Sequence, residues 1–409
     1  MINKFHYKCI DCGAEYSADT VHYVCTSCSS KDSEGQPPQG VLKVEYQYEK
    51  IKAIGFNHME ENHFLDLLPI HSLDSLPNLR VGQTPLYEVN EIDGNELGFS
   101  VLLKDDSQNP TFSYKDRASA VVSAFAKENG IDTIVTASTG NAGSSLAGIC
   151  AAQNQKAIIM VPAAAPVAKL TQIVMYGATL IPVAGTYDDA FDLSVKATKE
   201  LGWYNRNTAF NPLTIEGKKT SSFEIFSQMN GEIPDRIFVP VGDGVIISGI
   251  YKGFEDLLRL GYIEKMPIIV GVQSEGSDNI ARNIQAGSFS VKPSKTIADS
   301  ISVDIPRNFN MAKQFIEKYA GETLIISDDE IMQASKILSE NTGLFAEPAA
   351  ATAFGGLLNY EKMNKLASKS KNVVMLTGSG LKDLKSVQPM IQMPKPIIPT
   401  IQNLKKLTS

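Results

Sequence analysis

Apolar positions along this chain change their period several times, and the changes mark out its elements. "VLKVEYQYE" alternates like a half-buried strand. "SLPNLRVGQTPLYEV", punctuated by Gly82 and Pro85, reads as loop. From "FSVLLKDD" onward, short apolar runs alternate with amphipathic stretches. "VLLKD", "TIVTAS", "KAIIMVP", "ATLIPVAG", "RIFVPVG", "PIIVGVQSEG" and "NVVMLTGSG" have the length and composition of strands. Between them, "KDRASAVVSAFAKENG", "GNAGSSLAGICAAQN", "VAKLTQIVMYG", "TYDDAFDLSVKATKELG" and "VIISGIYKGFEDLLRLG" carry helical spacing, and most close on glycine. This βαβα order predicts an α/β fold with parallel sheets covered by helices. The tail "QPMIQMPKPIIPTIQN" is interrupted by prolines and reads as extended surface chain. No solenoid-type repeat is present.

The first forty or so residues stand apart from that order. Cys9-x-x-Cys12 is followed, after twelve residues, by Cys25-x-x-Cys28. Each pair can sit on a tight knuckle, so four thiolates can complete a closed tetrahedral zinc site with a structural role. Two redox pairs, or a ribbon without metal, would show the same spacing. "SEGQPPQG" ends the module as a linker. Cys150, within "LAGICAA", reads as a buried small hydrophobe. With 409 residues, 43% hydrophobic and 20% charged, the chain has the composition of a globular protein of two or three domains. Its net charge of -7 offers no positive field for nucleic acid or acidic membranes. Neither a signal-peptide core in "MINKFHYKCIDCGAEYS" nor a run of about 18 apolar residues is seen. The expectation is a cytoplasmic protein acting on a small molecule, with no nucleic acid or membrane as partner.

In open parallel sheets, ligands collect at the carboxyl ends of strands. In "TASTGNAGSS", Ser138, Thr139 and Gly140 follow a strand and Asn141 opens a helix. Free N–H groups and hydroxyls there suit a carboxylate, and Asn141 is a neutral donor able to reach a phenolic oxygen. A plain helix cap uses the same residue types. In "VPVGDGVIISG", Gly242 and Gly244 let the backbone come close to a bound group, and the following helix start favours a phosphate. Neither the Walker nor the Rossmann spacing is present, and Asp243 is expected to turn its carboxylate away. "VVMLTGSGLKD" ends its strand on Thr377, whose hydroxyl suits a ring nitrogen, though a tight turn would explain it equally. "NPTFSYKDRASA" sets Lys115 at a helix start behind two aromatic residues. Desolvation and the positive end of a helix both lower a lysine pKa, and a neutral amine attacks a carbonyl. Asp116 and Arg117 read as an ion pair or local scaffold. A lysine, a phosphate-type loop, a neutral donor and a hydroxyl for a ring nitrogen together describe a pyridoxal 5'-phosphate site.

In order and spacing, "GQTPLYEV", "NPTFSYKDRA", "ASTGNAG", "VMYGATLIPVAGTYDDAF", "NPLTIEGKKTSSFEI", "VPVGDGVIISGIYKGF", "EPAAATAFGGL" and "LTGSGLKD" make a specific set. Through it the chain resembles the threonine synthase branch of the fold-type II pyridoxal phosphate enzymes, over roughly residues 78–385. The cysteine module resembles one found on some members of that branch. The resemblance implies two open twisted sheet domains plus an N-terminal zinc-ribbon-like module over 1–40. A large cofactor-binding domain would take 41–119 and 211–390, a small α/β domain 120–210, and a tail 391–409. It implies that Lys115 bonds the cofactor and is catalytic, and that Asn141 meets the phenolic oxygen. The main chain of Gly242, Asp243, Gly244, Val245 and Ile246 would hold the phosphate. Thr377 would face the pyridine nitrogen, and Ser138, Thr139 and Gly140 the substrate carboxylate. Cys9, Cys12, Cys25 and Cys28 would be the metal ligands, and the protein a homodimer.

The implied activity converts O-phospho-L-homoserine and water to L-threonine and phosphate. The alternative with the same cofactor is a threonine/serine dehydratase, or a β-replacement enzyme using O-phosphoserine, such as a cysteate synthase. A non-catalytic scaffold is a third class, against which the retention of Lys115, Asn141 and Thr377 argues. The chain departs from the branch in "GDGVI", where Gly-Asn-x-Gly-Asn is frequent, and at Thr186 and Ser379.

Overall fold

The computed structural model describes residues 4–408, and the alternating pattern becomes three sheets. β1 (Phe5–Cys9), β2 (Glu15–Ser17) and β3 (Leu42–Tyr46) form a small antiparallel sheet with β1 in the middle. β4 (Leu86–Ile92) and β5 (Asn95–Asp105) pair antiparallel at one edge of a six-stranded sheet. The chain then leaves that sheet. β6 (Thr133–Ala137), β7 (Lys156–Pro162), β8 (Thr179–Val183) and β9 (Tyr204–Asn205) build a separate parallel sheet ordered β8-β7-β6-β9. β10 (Arg236–Pro240), β11 (Ile268–Ser274), β12 (Glu322–Ile326) and β13 (Lys371–Leu376) complete the six-stranded sheet, ordered β12-β11-β10-β13-β5-β4. All its pairings except β4 with β5 are parallel.

The apolar runs explain why the central strands lie where they do. In β10 and β13, Ile237, Val239 and Val373 join a core with Ile247 and Ile250 of the helix Val245–Leu260. Their neighbours Phe238 and Val374 join another core with Phe354 and Leu357 of the helix Pro348–Lys362. Successive side chains thus go to opposite faces, and both faces are buried. Each such side chain contributes roughly 1.5–3 kcal/mol. At the edge, β4 keeps Glu88, Asn90 and Glu91 in solvent, where pairing demands less.

Local chemistry sets the helix ends. Thr186 and Asp189 cap the helix Tyr187–Leu201 reciprocally, and Ser327 and Glu330 do the same for Asp328–Thr342. Gly202, at φ 69°, closes the first of these in the left-handed region.

Three stretches differ from the sequence reading. The end of "SLPNLRVGQTPLYEV", read as loop, opens the edge strand β4 at Leu86, because its residues pair antiparallel with β5. The strand in "VLKVEYQYE" ends at Tyr46, because Tyr48 starts a short helix and donates its hydroxyl to buried Asp256 at 2.6 Å. The tail is not extended throughout: Ile401–Thr408 is helical, beginning just past the last proline, Pro399.

The N-terminal sheet docks on both larger units. Tyr23 stacks on Phe210 at 4.7 Å and accepts the Asn205 N–H at 2.9 Å. On the other side, Asn310 donates to the Pro38 carbonyl at 3.1 Å, and Gln314 to that of Ile10 at 3.2 Å. No described helix is long and apolar enough to cross a membrane.

Candidate active site

The carboxyl ends of β6, β10 and β13 face a common region, and a ring of short contacts ties their turns together. Tyr114 N–H donates to the Thr377 carbonyl at 2.9 Å, and Ser113 bridges to Gly378. Gly378 in turn accepts the Glu347 N–H at 3.0 Å. Asn141 Nδ2 donates to Glu347 Oε1 at 2.9 Å and to Ser300 Oγ at 3.3 Å. Next to Ser300, the Ile301 Cα would lie 2.7 Å from a Cβ on Gly242. That close approach is why a glycine must start the β10 turn. The ring therefore brings together Lys115, Asn141, Gly242 and Thr377, which are far apart in sequence.

Lys115 is the first residue of the helix Lys115–Glu128. Its side chain is half-buried, and among the described residues its Nζ has no hydrogen-bond partner. The amine is held down at about 8, chiefly by desolvation. Glu347 and Asp243 pull its pKa upward, and Arg206 pushes it down. Glu347 is buried, and desolvation raises its pKa while Asn141 and Lys115 restrain the rise. The Ser113 hydroxyl, two residues before the lysine, is buried with no partner.

The β10 turn begins the helix Val245–Leu260 with Gly244 at φ 86°, a value that L-residues rarely adopt. The first-turn N–H groups of this helix have no intrahelical acceptors. The Asp243 carboxylate accepts the Arg307 N–H at 2.5 Å, which commits it to the 306–308 turn. Burial raises its pKa to about 6 against that bond and the nearby Arg307, Lys115 and Lys218 charges. Ser138, Thr139 and Gly140 form the turn after β6 and are half-buried, with the Gly140 N–H donating to Ser138 Oγ at 3.2 Å. Thr377 is buried at the end of β13.

Behind Lys115 the helix is anchored by paired charges. Arg117 does not pair with Asp116. Its guanidinium meets Asp106 and Glu224, each at 2.6 Å, and Glu224 also takes Lys104 at 2.7 Å. Asp116 instead accepts the Thr111 N–H and hydroxyl at 2.7 and 2.5 Å, fixing the loop ahead of the lysine. Both residues are scaffold. Cys150 is fully buried in the helix behind Asn141.

Several residues here were not singled out from the sequence. Glu347 is one, although a glutamate directly before the proline of "EPAAA" is a legible helix-start signal. Arg206 and Lys218 are others. Both are fully buried beside Lys115, and nothing in "YNRNTA" or "EGKKT" marks those two cations as different from their neighbours.

The four cysteines meet at the edge of the N-terminal sheet, their sulfurs all within 4.8 Å of one another. Cys9 to Cys28 is 3.8 Å and Cys12 to Cys25 is 3.7 Å. A tetrahedron of thiolates about 2.3 Å from a zinc ion has edges of about 3.8 Å. The donor set therefore fits a closed structural zinc site. Tyr16 donates its hydroxyl to Cys25 Sγ at 3.0 Å, an outer contact of the kind that orients a ligand. A separate groove of about 600 Å³ along the helix Asp328–Thr342, between Asp93 and Met390, contains none of these residues.

Comparison with known proteins gives a concordant result. A family model described as "Pyridoxal-phosphate dependent enzyme" matches residues 78–378. The chain is 35% identical over 387 residues to the threonine synthase of Methanocaldococcus jannaschii, with 92% of each covered. It is 32% identical over 412 residues to that of Methanosarcina acetivorans, with 98% of each covered. Among solved structures, it is similar to the processed form of threonine deaminase isoform 2 from Solanum lycopersicum. The TM-score there is 0.68 at 21% identity, over 80% of this chain and 91% of that one, a likeness of fold.

Proposed function

The chain belongs to the pyridoxal-phosphate dependent enzyme family, and from that premise we propose that it is a lyase making L-threonine and phosphate from O-phospho-L-homoserine and water. The observation that carries this reading is end-to-end similarity to threonine synthases in a chain whose Lys115 amine is unpartnered and near neutrality. When bound, pyridoxal phosphate supplies an aldehyde for that amine and a ring that takes up electrons released at the substrate's Cα.

The residues divide the remaining work. We assign Lys115 the covalent attachment and the proton transfers at Cα and Cβ, because a tethered base near neutral pKa accepts and returns protons at pH 7. The main-chain N–H groups of Gly242 through Ile246 receive the cofactor's phosphate at the start of a helix. Thr377 would offer the ring nitrogen an uncharged hydroxyl, which would favour the unprotonated ring and restrain side reactions. Asn141 serves the phenolic oxygen, held in place by Glu347. Ser138, Thr139 and Gly140 hold the substrate carboxylate. A zinc ion on Cys9, Cys12, Cys25 and Cys28 is structural, since four thiolates leave no open position. The family resemblance further supports a homodimer in the cytoplasm.

The test is product analysis of the purified protein. Incubation with O-phospho-L-homoserine is expected to release phosphate and threonine in equal amounts. Lys115→Ala is expected to lower turnover by about 10⁴ and to remove the visible absorbance of the lysine-bound cofactor. Release of a 2-oxo acid from threonine or serine, with phosphohomoserine untouched, would overturn the assignment.

A further inference from the structure

Most buried cations of this protein carry their counter-charge with them. Arg117 and Lys104 share Glu224, while Lys219 and Lys252 share Asp256. Two do not. Lys218 is fully buried, and its Nζ makes one hydrogen bond, to the Thr214 carbonyl at 3.3 Å. Arg206 is also fully buried and gives its donors to neutral oxygens: Ser119 Oγ at 3.1 Å, Thr208 Oγ1 at 2.8 Å and the Lys115 carbonyl at 3.4 Å. Among the described residues neither has a carboxylate within ion-pair distance. Of its three ammonium protons Lys218 spends one, and Arg206 leaves donors of its guanidinium unspent.

An isolated buried charge is expensive: burial, with the Arg206 and Lys115 charges, drives the Lys218 amine well below its ordinary value, and an anion held between the two side chains would restore its charge. Their placement says what that is. Lys218 packs against the bare backbone of Gly249, one turn into the helix that begins at Val245. A Cβ on Gly249 would lie 2.7 Å from the Lys218 Cβ. Arg206 follows β9 and reaches the main chain of Lys115 from the small sheet. The two cations and Lys115 feel one another electrostatically, with Asp243 opposing both lysines, Glu347 opposing Lys115 and Asp116 opposing Arg206. All three carboxylates are already engaged, by Arg307, Asn141 and Thr111.

We propose that Arg206 and Lys218 form a subsite for a phosphate monoester dianion beside Lys115. This rests on the reading above, in which two such esters enter the same site: the cofactor's phosphate and the substrate's. Either would match two hydrogen-bonding side chains whose neighbouring carboxylates, Asp116 and Asp243, are already held by Thr111 and Arg307.

The test uses Lys218→Gln and Arg206→Gln in the full chain, with Lys218→Arg as the charge-restoring control. Three quantities are measured: equilibrium binding of pyridoxal phosphate, binding of pyridoxal, which lacks the phosphate, and competitive inhibition by inorganic phosphate in the holoenzyme. Loss of one charge is expected to weaken one phosphate-bearing ligand roughly ten- to a hundredfold, with pyridoxal unchanged and Lys218→Arg restoring most of the loss. If pyridoxal phosphate weakens, the anion is the cofactor's. If inhibition by phosphate and the KM for phosphohomoserine shift instead, it is the substrate's. The proposal is overturned if all these quantities stay within twofold of the unmodified protein. It is equally overturned if pyridoxal and pyridoxal phosphate weaken together, which would mark a packing role. Melting curves of the apo-variants guard against misfolding, which would lower both affinities alike. Failure of the underlying reading would be seen separately, as absence of cofactor uptake in the unmodified protein.

Discussion

Lys218 and Lys219 are neighbours in sequence and opposites in environment. Lys219 lies between Glu216 at 2.5 Å and Asp256 at 2.7 Å, with Tyr46 and Tyr48 donating to the same two carboxylates. Lys218, one residue earlier and equally buried, meets a single carbonyl. The first arrangement joins the N-terminal sheet to the helix Val245–Leu260 and holds both its cations and its counter-charges. The second is incomplete in the protein alone. Burial by itself therefore does not separate scaffold from site here; the supply of counter-charge does.

The contrast can be broken most strongly on the paired side. Asp256→Asn would strand Lys252 in the interior and leave Lys219 with Glu216 alone. It is expected to cost about 3–5 kcal/mol in urea denaturation, the usual penalty for removing one partner of a buried pair. A cost below about 1 kcal/mol would mean that the network is not what holds that face.

On the unpaired side the sign reverses. Lys218→Met removes a buried amine that has no charged partner, so the apo-protein is expected to be unchanged or more stable, by up to about 4 kcal/mol. Destabilisation of the apo-protein would show that the lysine has an internal partner after all.

The smallest effect sharpens the comparison at Lys115. Its amine is largely protonated below about 8 and neutral above it. Cofactor uptake by the apo-protein is therefore expected to speed up as pH rises and to level off just above 8. An ordinary lysine would keep accelerating toward about 10.4. The same shift sets a stability trend of matching sign. The folded-state pKa lies below the unfolded value, so the penalty of the buried charge is full at neutral pH. It is relieved only as pH rises from about 8 toward 10.4. A rate that is flat from pH 6 to pH 9 would remove Lys115 as the group that titrates.

Most of the fold is legible in the chain because its strongest signals are periodic. Apolar runs such as "IFVP" and "VVML" must be buried on both faces, and the helices between them carry their own caps and glycines. The strand ends that bear chemistry are legible for a related reason, since glycine, serine and threonine cluster where the backbone must turn sharply or face a ligand. What escapes is partnership. Asp116 and Arg117 sit side by side in sequence, yet one turns to Thr111 and the other to Asp106 and Glu224. What separates Lys218 from Lys219 is only partly local: Glu216 stands three residues before Lys219, on its face of the chain, whereas Asp256 arrives from a helix some forty residues downstream. Arg206 is silent for the same reason.

The contact between Tyr23 and Asn205 has a consequence for how the protein is made. These residues are 182 positions apart. At roughly 5–20 residues per second, a ribosome needs about ten to forty seconds to reach the second after finishing the first. For that interval the cysteine module has been synthesised while the surface on which Tyr23 docks has not. The nascent chain thus passes through a window in which Cys9, Cys12, Cys25 and Cys28 are already made and the module that carries them has no larger unit to rest on.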